Sequence, residues 1–255
     1  MERIAQLEEE MIKGLEGQDL SGQDFSGWDL RNTDLSETNL TDANLTLALL
    51  RNADLRGANL ARAFLRKSDL RKSDLRLADL TEADLIKSDL TEADLTEADL
   101  TEADLYRANL IKANLTEARL RSANLFEADL ENANLENADL TKADLTEANF
   151  RFANLSYADL REAVLTEANL KKANLTGADL FNANLTDAVL RLANLTGADL
   201  RGANLTYADL TDADLADADL TDANLTDAKY NKYTKLPFSD EEATKRGMVK
   251  IWEVK

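Results

Sequence analysis

From Leu15 to Leu225 every fifth residue is leucine or phenylalanine, 43 positions in one unbroken frame of a 255-residue chain. Only Phe25 and Phe150 depart from leucine. Two residues before each centre, from residue 43 to 228, stands alanine, replaced only by Ser68, Ser73 and Ser88. The residue just before the centre is usually Asp or Asn, and the two after it vary. The unit therefore reads A-(D/N)-L-x-x, as in Ala93-Asp94-Leu95-Thr96-Glu97.

A period of five excludes both regular elements. A helix advances about 100° per residue, so leucines five apart would sit about 140° apart and smear around its circumference. In a straight strand five is odd, and successive leucines would point to opposite faces. The chain must bend once per unit. Ala and Leu, two apart, share a face of a short extended segment, and the remaining residues form a corner that returns the next pair to the same interior. Bending repeated in one sense predicts a solenoid with a stacked leucine core, in which Ala93, Leu95, Leu120 and Phe150 are representative core residues.

The A-(D/N)-L-x-x pattern over residues 16–228 resembles the pentapeptide repeat family. The resemblance implies an all-β fold, a right-handed quadrilateral β-helix with four units, or 20 residues, per coil. The period alone would also permit another polygon. With four units per coil the 43 units make about 11 coils, roughly 50 Å long at ~4.8 Å per stacked strand.

A stacked solenoid leaves apolar core and unpaired backbone open at both ends. Ile4, Leu7, Met11 and Leu15 carry helical spacing, and Gly14 stands where a helix could stop, so residues 1–15 are expected to form an N-terminal capping helix. After Leu225 the register decays through Lys229-Tyr230, and residues 229–255 are expected to form a C-terminal cap. There Ser239-Asp240-Glu241-Glu242 fits a capping box for a brief helix ending near Gly247, and MVKIWEV suits a short edge strand. The other reading of the termini is an added role in dimerisation, so the chain is expected to be a monomer or homodimer.

Composition narrows the chemistry. The chain has 49 acidic and 30 basic residues, a net charge of −19, and neither Cys nor His. Disulfides, thiolate nucleophiles and Cys-ligated zinc are excluded, and the usual neutral-pH proton shuttle is missing. The charge disfavours direct binding to nucleic acid or to anionic membranes. The N-terminal MERIAQLEEEMIKGL carries six charged residues in fifteen and resembles neither a signal peptide nor a membrane span, so the expected location is the cytoplasm. No phosphate loop is present. No catalytic residue, cofactor or metal site is expected, and the chain reads as no enzyme.

Function is therefore sought on the outer columns, where positions 20 apart become neighbours on adjacent coils. Charge is unevenly spread along them. Residues 16–80 hold 11 acids and 9 bases, whereas 81–228 hold 30 acids and 12 bases. At 20-residue offsets Arg62 is expected to face Glu82, and Lys72, Glu92 and Lys112 alternate in sign. The Asp and Asn before each centre are expected to act as corner residues that hydrogen-bond nearby backbone. Ile86, Tyr106 and Phe126 share one outward column on three successive coils, with Ile111 on the adjoining face, and form the candidate interaction surface. Leu49, Phe64, Val164 and Val189 replace the usual Asp or Asn, and Arg119 also departs. The expected function is a non-enzymatic protein-binding or scaffold rod. The alternative, implied by resemblance to quinolone-resistance members of the family, is an acidic DNA mimic that engages DNA gyrase or topoisomerase. The frame lacks the loop insertions that help some of those relatives act on gyrase.

Overall fold

The computed structural model describes residues 14–251, so the helix expected over 1–15 lies almost wholly outside the described residues. Along the repeat, each residue preceding a leucine centre bridges in parallel to the residue 20 further on, from Asp19–Asn39 through to Asp209–Lys229. Four five-residue units thus complete one circuit, and the strands are single bridges separated by turns. The leucine and alanine columns are buried throughout, with Leu95, Leu120 and Phe150 at 0% exposure.

The unit 93–97 shows why this sequence adopts this path. Each of its five backbone N–H groups has an acceptor. Ala93 N donates to Leu90 O (2.9 Å), closing the corner, and Asp94 N donates to Ser73 O on the preceding coil (3.0 Å). Leu95 N and Glu97 N donate to Asn114 O (2.7 Å) and Thr116 O (3.0 Å) on the following coil. The one N–H left over, that of Thr96, donates to Asp94 Oδ1 (3.1 Å). A buried or half-buried backbone donor without a partner is costly, so the side chain before the leucine completes the hydrogen bonding of the corner. Asp and Asn recur there because both offer that oxygen.

The corner requires a left-handed residue. The second residue after every centre from Gly17 to Gly202 and on to Asp227 has positive φ, as in Glu97 at 58° and Lys112 at 58°. With the i to i+3 hydrogen bond across it, this is the signature of a type II turn. Only a minority of these residues are glycine, and the left-handed region costs other residues roughly 1–2 kcal/mol each. Burying a leucine contributes roughly 1.5–3 kcal/mol, so each centre can offset its own corner, and coil-to-coil hydrogen bonds must add the rest. The sequence respects the steric limit. Threonine stands 17 times at the position after the centre and never at the left-handed one, which also holds no Val, Ile or Pro. The three serines in the alanine column are accommodated because Ser68, Ser73 and Ser88 donate to the carbonyls of Leu65, Leu70 and Leu85 at 2.7 Å.

Near the C-terminus the 20-residue register slips by one, Asp214 pairing with Lys235. Strand β1, Lys229–Tyr230, then pairs in parallel with β2, Val249–Lys250, again 20 residues on. Between them lies helix α1, Asp240–Lys245, whose N-cap Ser239 accepts from Glu242 N. Tyr230 and Met248 are buried in the leucine and alanine columns, and Arg246 donates to Leu220 O at 3.1 Å.

Two consequences can be measured by thermal melting. Leu120→Asp, which places a carboxylate in a dry core, is expected to lower stability by at least several kcal/mol, whereas Thr96→Ser, which keeps the hydroxyl and the turn, leaves the melt unchanged. Equal melts would overturn the core assignment. At the corner, Glu97→Val is expected to cost about 1–2 kcal/mol because a β-branched residue is forced into the left-handed region. Glu97→Gly stays within about 1 kcal/mol of the parent, strain relief being offset by the freer unfolded chain. A Val variant as stable as the Gly variant would contradict the turn assignment.

Candidate functional site

The three non-core positions of each unit are not equivalent. The residue before the centre and the residue after it are mostly half-buried between stacked coils, whereas the left-handed residue is exposed on nearly every coil. The exterior therefore consists of exposed corner columns flanking half-buried face columns, with neighbours about 4.8 Å apart along each.

In the candidate surface, Ile86, Tyr106, Phe126 and Ile111 are all half-buried rather than fully exposed. The cause is stacking: the Tyr106 and Phe126 rings lie 5.8 Å apart at 28°, and their main-chain N–H groups are held by Asp104 and Asn124. Arg107 lies over the Tyr106 ring at 5.0 Å and forks onto Glu127 at 2.7 and 2.8 Å. The structure thus brings Ile86, Tyr106 and Phe126 into one stripe and places Ile111 on the next face.

Within the repeat the most exposed apolar residues stand elsewhere, at the left-handed position: Leu77 (64%), Tyr157 (61%), Leu47 (56%) and Tyr207 (50%). The sequence carried a signal for them, an apolar residue two after a centre, but it has meaning only once that position is known to be the outermost. Tyr157 lies against Gly177, where a Cβ would come within 2.7 Å of its ring. Gly57 opens a shallow groove of about 530 Å³ lined by Glu37, Arg56, Arg76, Leu77 and Glu97. Among the described residues no group of carboxylates is placed to hold a metal ion. Among the described residues no helix is long and apolar enough to cross a membrane.

Many of the arginines are neutralised where they stand. Arg56, Arg71, Arg76, Arg161 and Arg201 each fork onto the Asp two residues earlier, with contacts such as Arg71 Nη2 to Asp69 Oδ2 at 2.5 Å. Arg62 forks onto Asp42 at 2.8 Å, on the preceding coil, and not onto Glu82 as its spacing suggests. Both neighbours are acidic, and the shorter Asp presents its oxygens to the guanidinium fork. Lys72 does pair with Glu92, at 3.3 Å. Hydrogen bonds from Arg56 and Arg71 hold the Asp54 and Asp69 carboxyls below the usual carboxylate range, against the opposing effect of partial burial.

Overlapping segments spanning residues 15–229 match the family described as Pentapeptide repeats (8 copies). Among solved structures the chain is similar to HetL, a pentapeptide repeat protein involved in heterocyst differentiation regulation from the cyanobacterium Nostoc sp. strain PCC 7120. The identity is 41% over 78% of this chain and 88% of that one, with a TM-score of 0.42. It is also similar to QnrB1, a plasmid-mediated fluoroquinolone resistance protein, at 18% identity over 86% and 89% of the two chains, with a TM-score of 0.46. A third, Rfr23 from the cyanobacterium Cyanothece 51142, shares 30% identity over 50% of this chain and 90% of that one, with a TM-score of 0.29. No curated protein matches the chain.

The forked carboxylates predict a pH dependence. Their pKa is lower folded than unfolded, so their contribution is complete above the unfolded value, about 4, and is lost as pH falls through the lower folded value. Melting temperature is expected to drop below about pH 4, and the drop is smaller in Asp54→Asn/Asp69→Asn, which keeps the turn acceptor but removes the ion pairs. Identical acid profiles for parent and variant would show that the forks do not contribute.

Proposed function

The chain belongs to the pentapeptide repeat family, and from that premise we propose that it is a non-enzymatic binding rod whose partner is a protein. The observation that carries this reading is the division of labour within the unit: Ala and Leu fill the interior, so recognition is left to side chains held at fixed spacing on the exterior. We read the solenoid as right-handed and quadrilateral, with about 11 coils over 16–228, and residues 1–15 and 229–255 as its caps. The stripe Ile86, Tyr106 and Phe126, with Ile111 beside it, is the binding surface. Its support is the ring stack flanked by the Arg107–Glu127 clasp, an apolar centre with a charged rim of the kind protein interfaces use.

A second reading, an acidic rod that takes the place of duplex DNA on a topoisomerase, is favoured by the net −18 of residues 81–228. Affinity capture with the parent and with Ile86→Ser/Tyr106→Ser/Phe126→Ser separates the two. A protein recovered by the parent and lost by the variant is the expected outcome. A reproducible partner that the variant retains would overturn the surface assignment, and recovery of topoisomerase subunits would favour mimicry.

A further inference from the structure

The face built by the units centred on Leu65, Leu85, Leu105, Leu125, Leu145 and Leu165 carries a charge pattern that reverses sign at its midpoint. Its trailing corner column reads Lys67, Lys87, Arg107 and then Glu127, Glu147, Glu167. The central pair, Arg107 and Glu127, is joined within the chain. The four flanking residues are exposed, and no ion pair engages them among the described residues. The leading corner column of the same face, Arg62, Glu82, Glu102, Ser122, Lys142 and Glu162, does not divide by sign, but its two outer pairs about that midpoint are opposite in charge, with Arg62 held by Asp42 and Lys142 by Glu162 within the chain.

An antiparallel twofold axis lying across this face, between the coils of Tyr106 and Phe126, would bring each column against itself with coil order inverted. Lys87 then meets Glu147, Lys67 meets Glu167, Glu82 meets Lys142 and Arg62 meets Glu162. The apolar residues obey the same symmetry: Tyr106 meets Phe126 at the centre, and the exposed Phe64 (49%) meets Val164 toward the ends. One pair of like sign results, Asp84 with Asp144. Each of these carboxylates is already engaged in its own chain, Asp84 by Arg66 and Asp144 by Thr146.

We infer that a second copy of this chain docks antiparallel on this face, about a twofold axis between Tyr106 and Phe126. The inference rests on the reading of that stripe as the binding surface, and names its occupant. A twofold interface must be self-complementary, with residue i against j and j against i; the trailing column, which inverts at the midpoint, satisfies that condition at every pair, and the leading column at its two outer pairs. Opposed charges fix register more than they add affinity. The strip is narrow, six coils or about 29 Å at ~4.8 Å each, so the dimer is expected to be weak and salt-sensitive.

Sedimentation of the full chain tests this. At low salt and about 0.1 mM protein, where a weak interface is populated, the parent is expected to show twice the 28.2 kDa chain mass, and high salt returns it to monomer. Lys67→Glu/Lys87→Glu and Glu147→Lys/Glu167→Lys each place like charges in register and are expected to weaken the dimer at least about tenfold. An equimolar mixture of the two restores the doubled mass, as does one chain bearing all four changes. The substitutions keep the fold because Lys and Glu both already occupy this left-handed position throughout the rod, and unchanged melts verify it. A monomeric parent overturns the inference while leaving partner capture by the rod untouched. A dimer indifferent to both reversals, or reversals that the mixture fails to rescue, overturns it as well.

Discussion

A left-handed residue at every fifth position is the constraint on which the rest of this molecule depends. It turns the chain through a corner after each leucine, and without it the Ala-Leu pairs could not all face one interior. The conformation is unfavourable for the Glu, Lys, Asp and Asn that mostly occupy it, yet it repeats without exception from residue 17 to 227. Corner and core are coupled energetically, because the cost of one is of the order of the gain from the other. The coupling is local, unit by unit, and the coils stack as nearest neighbours.

The backbone of the corner also explains the most monotonous feature of the sequence. Asp or Asn precedes the leucine because one N–H, that of the residue after the leucine, has no carbonyl within reach and takes a side-chain oxygen instead. Where threonine follows, its hydroxyl joins the same oxygen, as Thr96 Oγ1 does with Asp94 Oδ1 at 2.6 Å. Asparagine adds a coil-to-coil link that aspartate cannot. Asn124 Nδ2 donates to Asp104 Oδ1 at 2.9 Å, and Asn174 Nδ2 to Asn154 Oδ1 at 2.9 Å. Interleaved asparagines thus replace a repulsive stack of carboxylates with donors.

Much of this was legible in the residue pattern. The fivefold leucine and alanine columns dictate a bent, stacked chain and name its core residue by residue. The left-handed corner was also written there, in the confinement of all 17 repeat threonines after the centre to one of two variable positions. That signal is an absence and is easily passed over. Other features depend on geometry that a period does not contain. Tyr106 and Phe126 are half-buried because rings on adjacent coils stack. Arg62 chooses Asp42 over Glu82, although both stand 20 residues away and carry the same sign. The one-residue slip at Lys235 is marked by no motif.

Net charge is consequently a poor guide to what the exterior offers. Of the 30 acids in residues 81–228, 14 precede a leucine and are occupied with the corner, and 14 stand at the mostly exposed left-handed position with five bases among them. The freely presented excess is therefore about half of what the total suggests, and it is arranged in columns that change sign along the rod. A duplex presents one uniform sign at about one charge per 1.7 Å. A surface that alternates in this way suits a partner with its own matching reversals, because register on a rod of identical coils can be set only where the columns differ. The informative residues are thus the few that break the repeat, and Tyr106, Phe126, Phe64 and Val164 gather on the face where the charges turn over.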